Sequence, residues 1–114
     1  MLPDYLHKDL VDEIRRFETG NDARIQVENQ VTYWTVDAIF YTSDKKKQGV
    51  RKYVSAPDAG GSVMVLHSPA ARNFYTVEEF GRIKDFDAFV RRVLVRLAET
   101  RDEILADCDA GCEA

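Results

Sequence analysis

The sequence predicts an α+β fold: a single domain with an N-terminal helix, about five antiparallel strands and a long C-terminal helix, with both helices packed on one sheet face. Three observations lead there. Apolar residues recur at helical spacing at both ends of the chain, and the middle is rich in β-branched and aromatic residues that nearly alternate with polar ones. The breaks between those central runs are of hairpin length, whereas parallel neighbours would need crossovers of about a dozen residues or more. A chain of 114 residues fits one domain that buries roughly two thirds of its unfolded surface.

Each element follows from its own pattern. Over residues 4–18, Leu6, Leu10, Ile14 and Phe17 fall in one stripe at 100° per residue, which predicts an amphipathic helix. Pro3 and Asp4 suit its first turn, and Thr19, Gly20, Asn21 and Asp22 supply a stop near Glu18 with Gly20 as the left-handed cap. Residues 23–28 alternate, with Ile25 and Val27 on one side, and predict a short edge strand followed by a tight turn at Asn29 and Gln30. The centre of the fold is a long hairpin, residues 31–43 and 50–56, joined by the polar break 44–49. Trp34, Val36, Ala38 and Phe40 share its core side; Tyr33, Thr35, Asp37, Ile39 and Tyr41 share the other, where Asp37 meets water.

Residues 57–61 form a turn, 62–67 a strand, 68–72 a loop and 73–77 a fifth strand. Residues 78–84 either extend that strand through a bulge at Gly81 or form a loose turn. Asp85 is an N-cap for the long helix, whose buried stripe is Phe86, Phe89, Val90, Val93, Leu94, Leu97, Ala98, Ile104 and Leu105. Its solvated side carries Ala88, Arg91, Arg92, Val95, Glu99 and Asp102. Residues 107–114 have no period, so the domain is expected to span 1–106 and to be followed by a flexible acidic tail, 107–114.

Charge and composition narrow the function classes. A net charge of −4 argues against nucleic-acid binding by bulk attraction, while leaving room for a local basic patch. No apolar run approaches the roughly 18 residues that span a bilayer, and the first residues lack the positive leader and apolar core of a signal peptide, so a cytoplasmic protein is expected. Cys108 and Cys112 would close only a tiny loop and cannot frame a core. As metal ligands they would need two further nitrogen or sulfur donors, and neither His7 nor His67 has a sequence reason to be near; no metal or cofactor is expected.

The best functional lead is the concentration of Lys45, Lys46, Lys47, Arg51 and Lys52 at the hairpin tip of an otherwise acidic protein. Such a tip suits an acidic partner or a phosphate backbone, with Tyr33, Tyr41 and Tyr53 as stacking platforms if they share the exposed face; its plainer role is to keep a long hairpin soluble and unpaired. Sheet residues left uncovered, Tyr33, Ile39, Tyr41 and Tyr53, would form an apolar patch and favour a homodimer or a complex through the sheet. Catalytic patterns are weak. His67 and Ser68 are adjacent on a strand and diverge, Glu78 and Glu79 diverge likewise, and Gly60 and Gly61 lack the helix and Lys-Ser/Thr of a phosphate loop. The sequence therefore points to a small non-enzymatic protein-binding or regulatory module of inhibitor, immunity or accessory type. Nucleic-acid binding through the Lys45 to Lys52 hairpin is the second reading, and a small enzyme with a dispersed site is the third.

Overall fold

The computed structural model describes residues 2–42, 48–67 and 74–112. Helix α1 (Lys8–Asn21) is followed by a meander of five strands, β1 (Ala23–Asn29), β2 (Trp34–Tyr41), β3 (Gln48–Ser55), β4 (Ser62–His67) and β5 (Phe74–Glu79), and by helix α2 (Phe86–Cys112). The sheet order is β1-β2-β3-β4-β5 with every neighbouring pair antiparallel. The predicted α+β architecture is what the chain adopts. No helix among the described residues is long and apolar enough to cross a membrane.

Register fixes the two faces. Trp34, Val36, Ala38 and Phe40 stand opposite Ser55, Tyr53, Arg51 and Gly49, and on the far side of β2 the last three of these rows continue into Val27, Ile25 and Ala23. Adding Val63 and Val65 of β4 completes the sheet's contribution to the core, which Leu10 and Ile14 of α1 and Phe86, Phe89, Val90, Val93, Leu94, Leu97 and Ile104 of α2 cover. Trp34 meets Phe86 and Phe89 edge-on or tilted at ring distances of 6.1 and 5.8 Å, while Phe17 meets Phe40 at 6.0 Å. At Gly49 the sheet and α2 are so close that an added Cβ would fall 2.5 Å from the Ile104 side chain, so β3 needs a residue without one there.

Several boundaries differ from the sequence expectation. Helix α1 starts at Lys8 rather than residue 4, because residues 3–6 close a turn in which the Leu6 N–H meets the Pro3 carbonyl. It ends at Asn21 rather than Glu18, and the left-handed cap is Asp22 (φ 49°, ψ 53°), not Gly20. Asp tolerates that conformation better than most side chains, and its N–H reaches the Glu18 carbonyl. No basic residue sits in the last turn of α1; Arg101 of α2 supplies one, donating from Nε to the Asn21 carbonyl at 3.2 Å.

Strand β2 begins at Trp34, since Gln30 donates to the Tyr33 carbonyl and closes the turn before it. Tyr33 therefore lies in the turn and not on the strand. Strand β5 runs two residues past Val77, and Gly81 (φ 74°) turns the chain away. Asp85 caps α2 as predicted, accepting from the Ala88 N–H at 2.9 Å. The helix continues to Cys112, over six residues of the segment read as an acidic tail.

Candidate functional site

Arg51 and Lys52, the described residues of the tip proposed from sequence, fall on opposite faces of the sheet. Lys52 is exposed on the open face of the sheet, opposite Asp37 of β2. Arg51 is only 6% exposed and faces the helices between Ala38 and His67, with one guanidinium nitrogen donating to the Val50 carbonyl at 3.1 Å. Lys45, Lys46 and Lys47 lie outside the described residues, as do Ser68 and the side chains of Cys108 and Cys112.

The three tyrosines are separated as well. Tyr53 is 1% exposed and belongs to the core, which corrects its placement on an exposed patch. Tyr33 and Tyr41 bracket β2, so at about 3.3 Å per residue they sit about 26 Å apart and form no common stacking platform.

Around Tyr53 the interior holds a polar cluster instead. Burial pushes its phenol up to about 12, Glu78 adds to the rise, and Arg96, Arg51 and a hydrogen bond with Thr100 oppose it. Thr100 also donates to the Arg96 carbonyl at 2.8 Å. Arg96 pairs through Nε with Glu78 at 2.7 Å, and that bond raises the arginine further. Phe80 packs on Tyr53 with ring centres 5.9 Å apart, under the Arg92 guanidinium at 4.7 Å. Together these contacts fasten the end of β5 to α2.

The rest of β5 is open. Phe74 is 43% exposed, Tyr75 64% and Val77 57%, and Met64, paired with Val77 from β4, is 43% exposed. The Phe80 N–H donates to the Gly61 carbonyl, so by alternation Glu78, Thr76 and Phe74 bond inward to β4. Tyr75, Val77 and Glu79 then turn their N–H and C=O groups to the sheet's outer edge.

The opposite edge is treated differently. On β1 the outward N–H of Ile25 donates to Glu18 at 2.9 Å and that of Asn29 to the Tyr5 hydroxyl at 2.7 Å. Side chains from α1 and the N-terminal segment thus occupy the edge that would otherwise recruit a strand. Among the described residues nothing comparable reaches Tyr75, Val77 or Glu79. His67 stacks on Phe74 at 4.4 Å and its Nε2 lies 3.0 Å from the Thr76 hydroxyl, which orders the start of β5 without covering it.

Of the clefts on the described surface, two gather more than one carboxylate. One, of about 390 Å³, lies beside the N-terminal segment and includes Asp4, Glu28 and Asp37. Burial raises the Asp37 carboxyl, Lys52 opposes that rise and Glu28 adds to it. The other, of about 590 Å³, lies between Tyr5, His7, Trp34 and the start of α2. Neither brings a nucleophile and a base together, and among the described residues no group of three or more His, Cys, Asp and Glu side chains is arranged to hold a metal ion.

Sequence reasoning located β5 but not its importance. Its one available signal was Phe74, Tyr75 and Val77 in a run with no polar residue alternating against the first two. Comparison of the chain with protein-family models, with curated proteins and with solved structures finds no match.

Proposed function

We propose that this protein is a small non-enzymatic binding module that docks another protein along the β5 side of its sheet. The observation that carries the reading is the difference between the two sheet edges: β1 is closed by Glu18 and Tyr5, and β5 presents Phe74, Tyr75 and Val77 beside outward backbone groups. A sheet edge of this kind binds an extended segment by main-chain hydrogen bonds, with alternate side chains supplying specificity. Met64, Leu66 and Val54 continue the apolar surface from the edge inward on the open face.

The test uses wild type and Val77→Lys as parallel baits in extracts of the source organism. Position 77 is exposed in the single chain, so the variant keeps the wild-type fold, which far-UV circular dichroism checks. A protein retained by wild type and lost by the variant supports the reading; identical retention by both refutes it. Binding of wild type and of the Lys45→Glu, Lys46→Glu, Lys47→Glu triple variant to mixed DNA and RNA at two salt concentrations tests the competing class. The protein-binding reading predicts no salt-sensitive nucleic-acid binding that the triple variant abolishes.

A further inference from the structure

We infer that the occupant of the β5 edge is β5 of a second copy of this chain, paired antiparallel about a twofold axis at Val77. The inference rests on the reading of β5 as a binding edge, and it follows from how charge and apolar groups are ordered along the strand. Its first half is apolar and its second half acidic, Phe74 and Tyr75 against Glu78 and Glu79. Only residues whose backbone points outward can exchange bonds across the edge, and these are Tyr75, Val77 and Glu79.

Among antiparallel registers, one centred on Val77 sets Val77 against its twin and Tyr75 against the second copy's Glu79. No carboxylate then faces another, and each phenol can donate to a carboxylate. Registers centred on Glu78 or Glu79, and in-register parallel pairing, set acid against acid, an arrangement that destabilises a strand pair. One centred on Thr76 keeps the acids apart but carries Glu79 past the end of the second β5, whereas centring on Val77 engages all three outward residues of both copies. Glu78 itself is already held by Arg96 on the helix side and brings no free charge to the seam.

The same register joins the apolar rows of the two open faces. Within one copy, Val54 stands opposite Met64 and Met64 opposite Val77. Pairing at Val77 places the two rows end to end, so that Met64 and Val77, half-exposed in the single chain, lie in the middle of a continuous apolar stripe. The product is one sheet with five strands from each copy, and only the two β1 edges, already closed by Glu18 and Tyr5, remain at its ends. A twofold contact of this kind closes on itself and does not propagate into fibres.

Light scattering across a concentration series tests this with Val77→Lys, Val77→Glu and their equimolar mixture. Wild type is expected to reach twice the 13.0 kDa of one chain. Each charged variant stays at the single-chain mass under the same conditions, because like charges now meet at the axis, and the mixture regains the doubled mass through a Lys–Glu pair. A second variant reads the register itself: with Cys108→Ser and Cys112→Ser as background, Val77→Cys crosslinks between copies on oxidation. Directly opposed residues of this pair lie about 5.5 Å apart at Cα, within disulfide reach. Wild type that holds the single-chain mass at every concentration overturns self-pairing while leaving the extract experiment to judge β5 as a binding edge. A doubled mass unaffected by either charged variant, or absent crosslinking at position 77, overturns it too.

Discussion

Replacing Tyr53 by Phe removes one hydroxyl from the polar cluster beneath β3 and should change how stability responds to alkali. In the folded chain the phenol ionises near 12 rather than at the ordinary 10.0, mainly because burial disfavours the phenolate. Above pH 10 the unfolded chain therefore releases this proton before the folded one does. The folded state then binds more protons, and stability falls as pH rises until the folded phenol itself ionises near 12. Two pKa units at about 1.36 kcal/mol each amount to about 2.7 kcal/mol lost from wild type across that window and absent from Tyr53→Phe. At pH 8 the variant should instead be less stable by about 1 kcal/mol, the net worth of the lost hydrogen bond with Thr100. Urea denaturation of both proteins between pH 8 and 12 gives the difference directly, since the other tyrosines and lysines titrate in both and cancel. A crossover, with the variant more stable at the alkaline end, is the expected result. A difference that stays flat across the range would refute the assignment of Tyr53 to a buried, alkali-sensitive site.

Other substitutions probe the remaining contacts. Trp34→Ala empties the space beside Phe86 and Phe89 and should cost about 3–5 kcal/mol in chemical denaturation. Arg101→Met keeps most of the side chain's apolar stem but removes the donor to the Asn21 carbonyl and the cation 6.0 Å from the Phe40 ring centre; a loss of about 1 kcal/mol, with faster amide exchange in the last turn of α1, is expected. Asp37→Asn should raise the melting temperature at pH 7, because a carboxyl raised in the folded state weakens folding once it must ionise. That gain should vanish as pH falls below the ordinary value of 3.8, where Asp37 is protonated in both states.

How far the fold was legible follows from where alternation was unambiguous. In β2 every second residue is apolar on one face, so Trp34, Val36, Ala38 and Phe40 are assigned inward by pattern alone, and the register agrees. Strand β3 offers no such contrast. Val50, Lys52 and Val54 alternate with Arg51, Tyr53 and Ser55, and by hydropathy the valine set looks like the core side. Pairing decides otherwise: Arg51 stands opposite Ala38 and Tyr53 opposite Val36, so the chain buries a guanidinium and a phenol while Lys52 faces out. Long-range pairing overrode local composition there, and it set Arg51 and Tyr53 on the face away from Lys52. The helix ends were similarly decided from afar, since Arg101, 80 residues along, caps α1. The candidate edge was half legible. Strand β5 was expected, but that Glu18 and Tyr5 close β1 while β5 stays open depends on contacts across the fold that no local pattern encodes.

Amide hydrogen exchange, resolved by residue and followed from dilute to concentrated protein, tests the open β5 edge most directly. In dilute solution the amides of Tyr75, Val77 and Glu79 should exchange much faster than the inward-bonded Thr76 and Glu78 between them, and faster than Ile25 and Asn29 on the closed edge. Raising the concentration should slow those three and leave Ile25 and Asn29 unchanged. Slow exchange at Tyr75, Val77 and Glu79 in dilute protein, matching that of Thr76 and Glu78, would contradict the account.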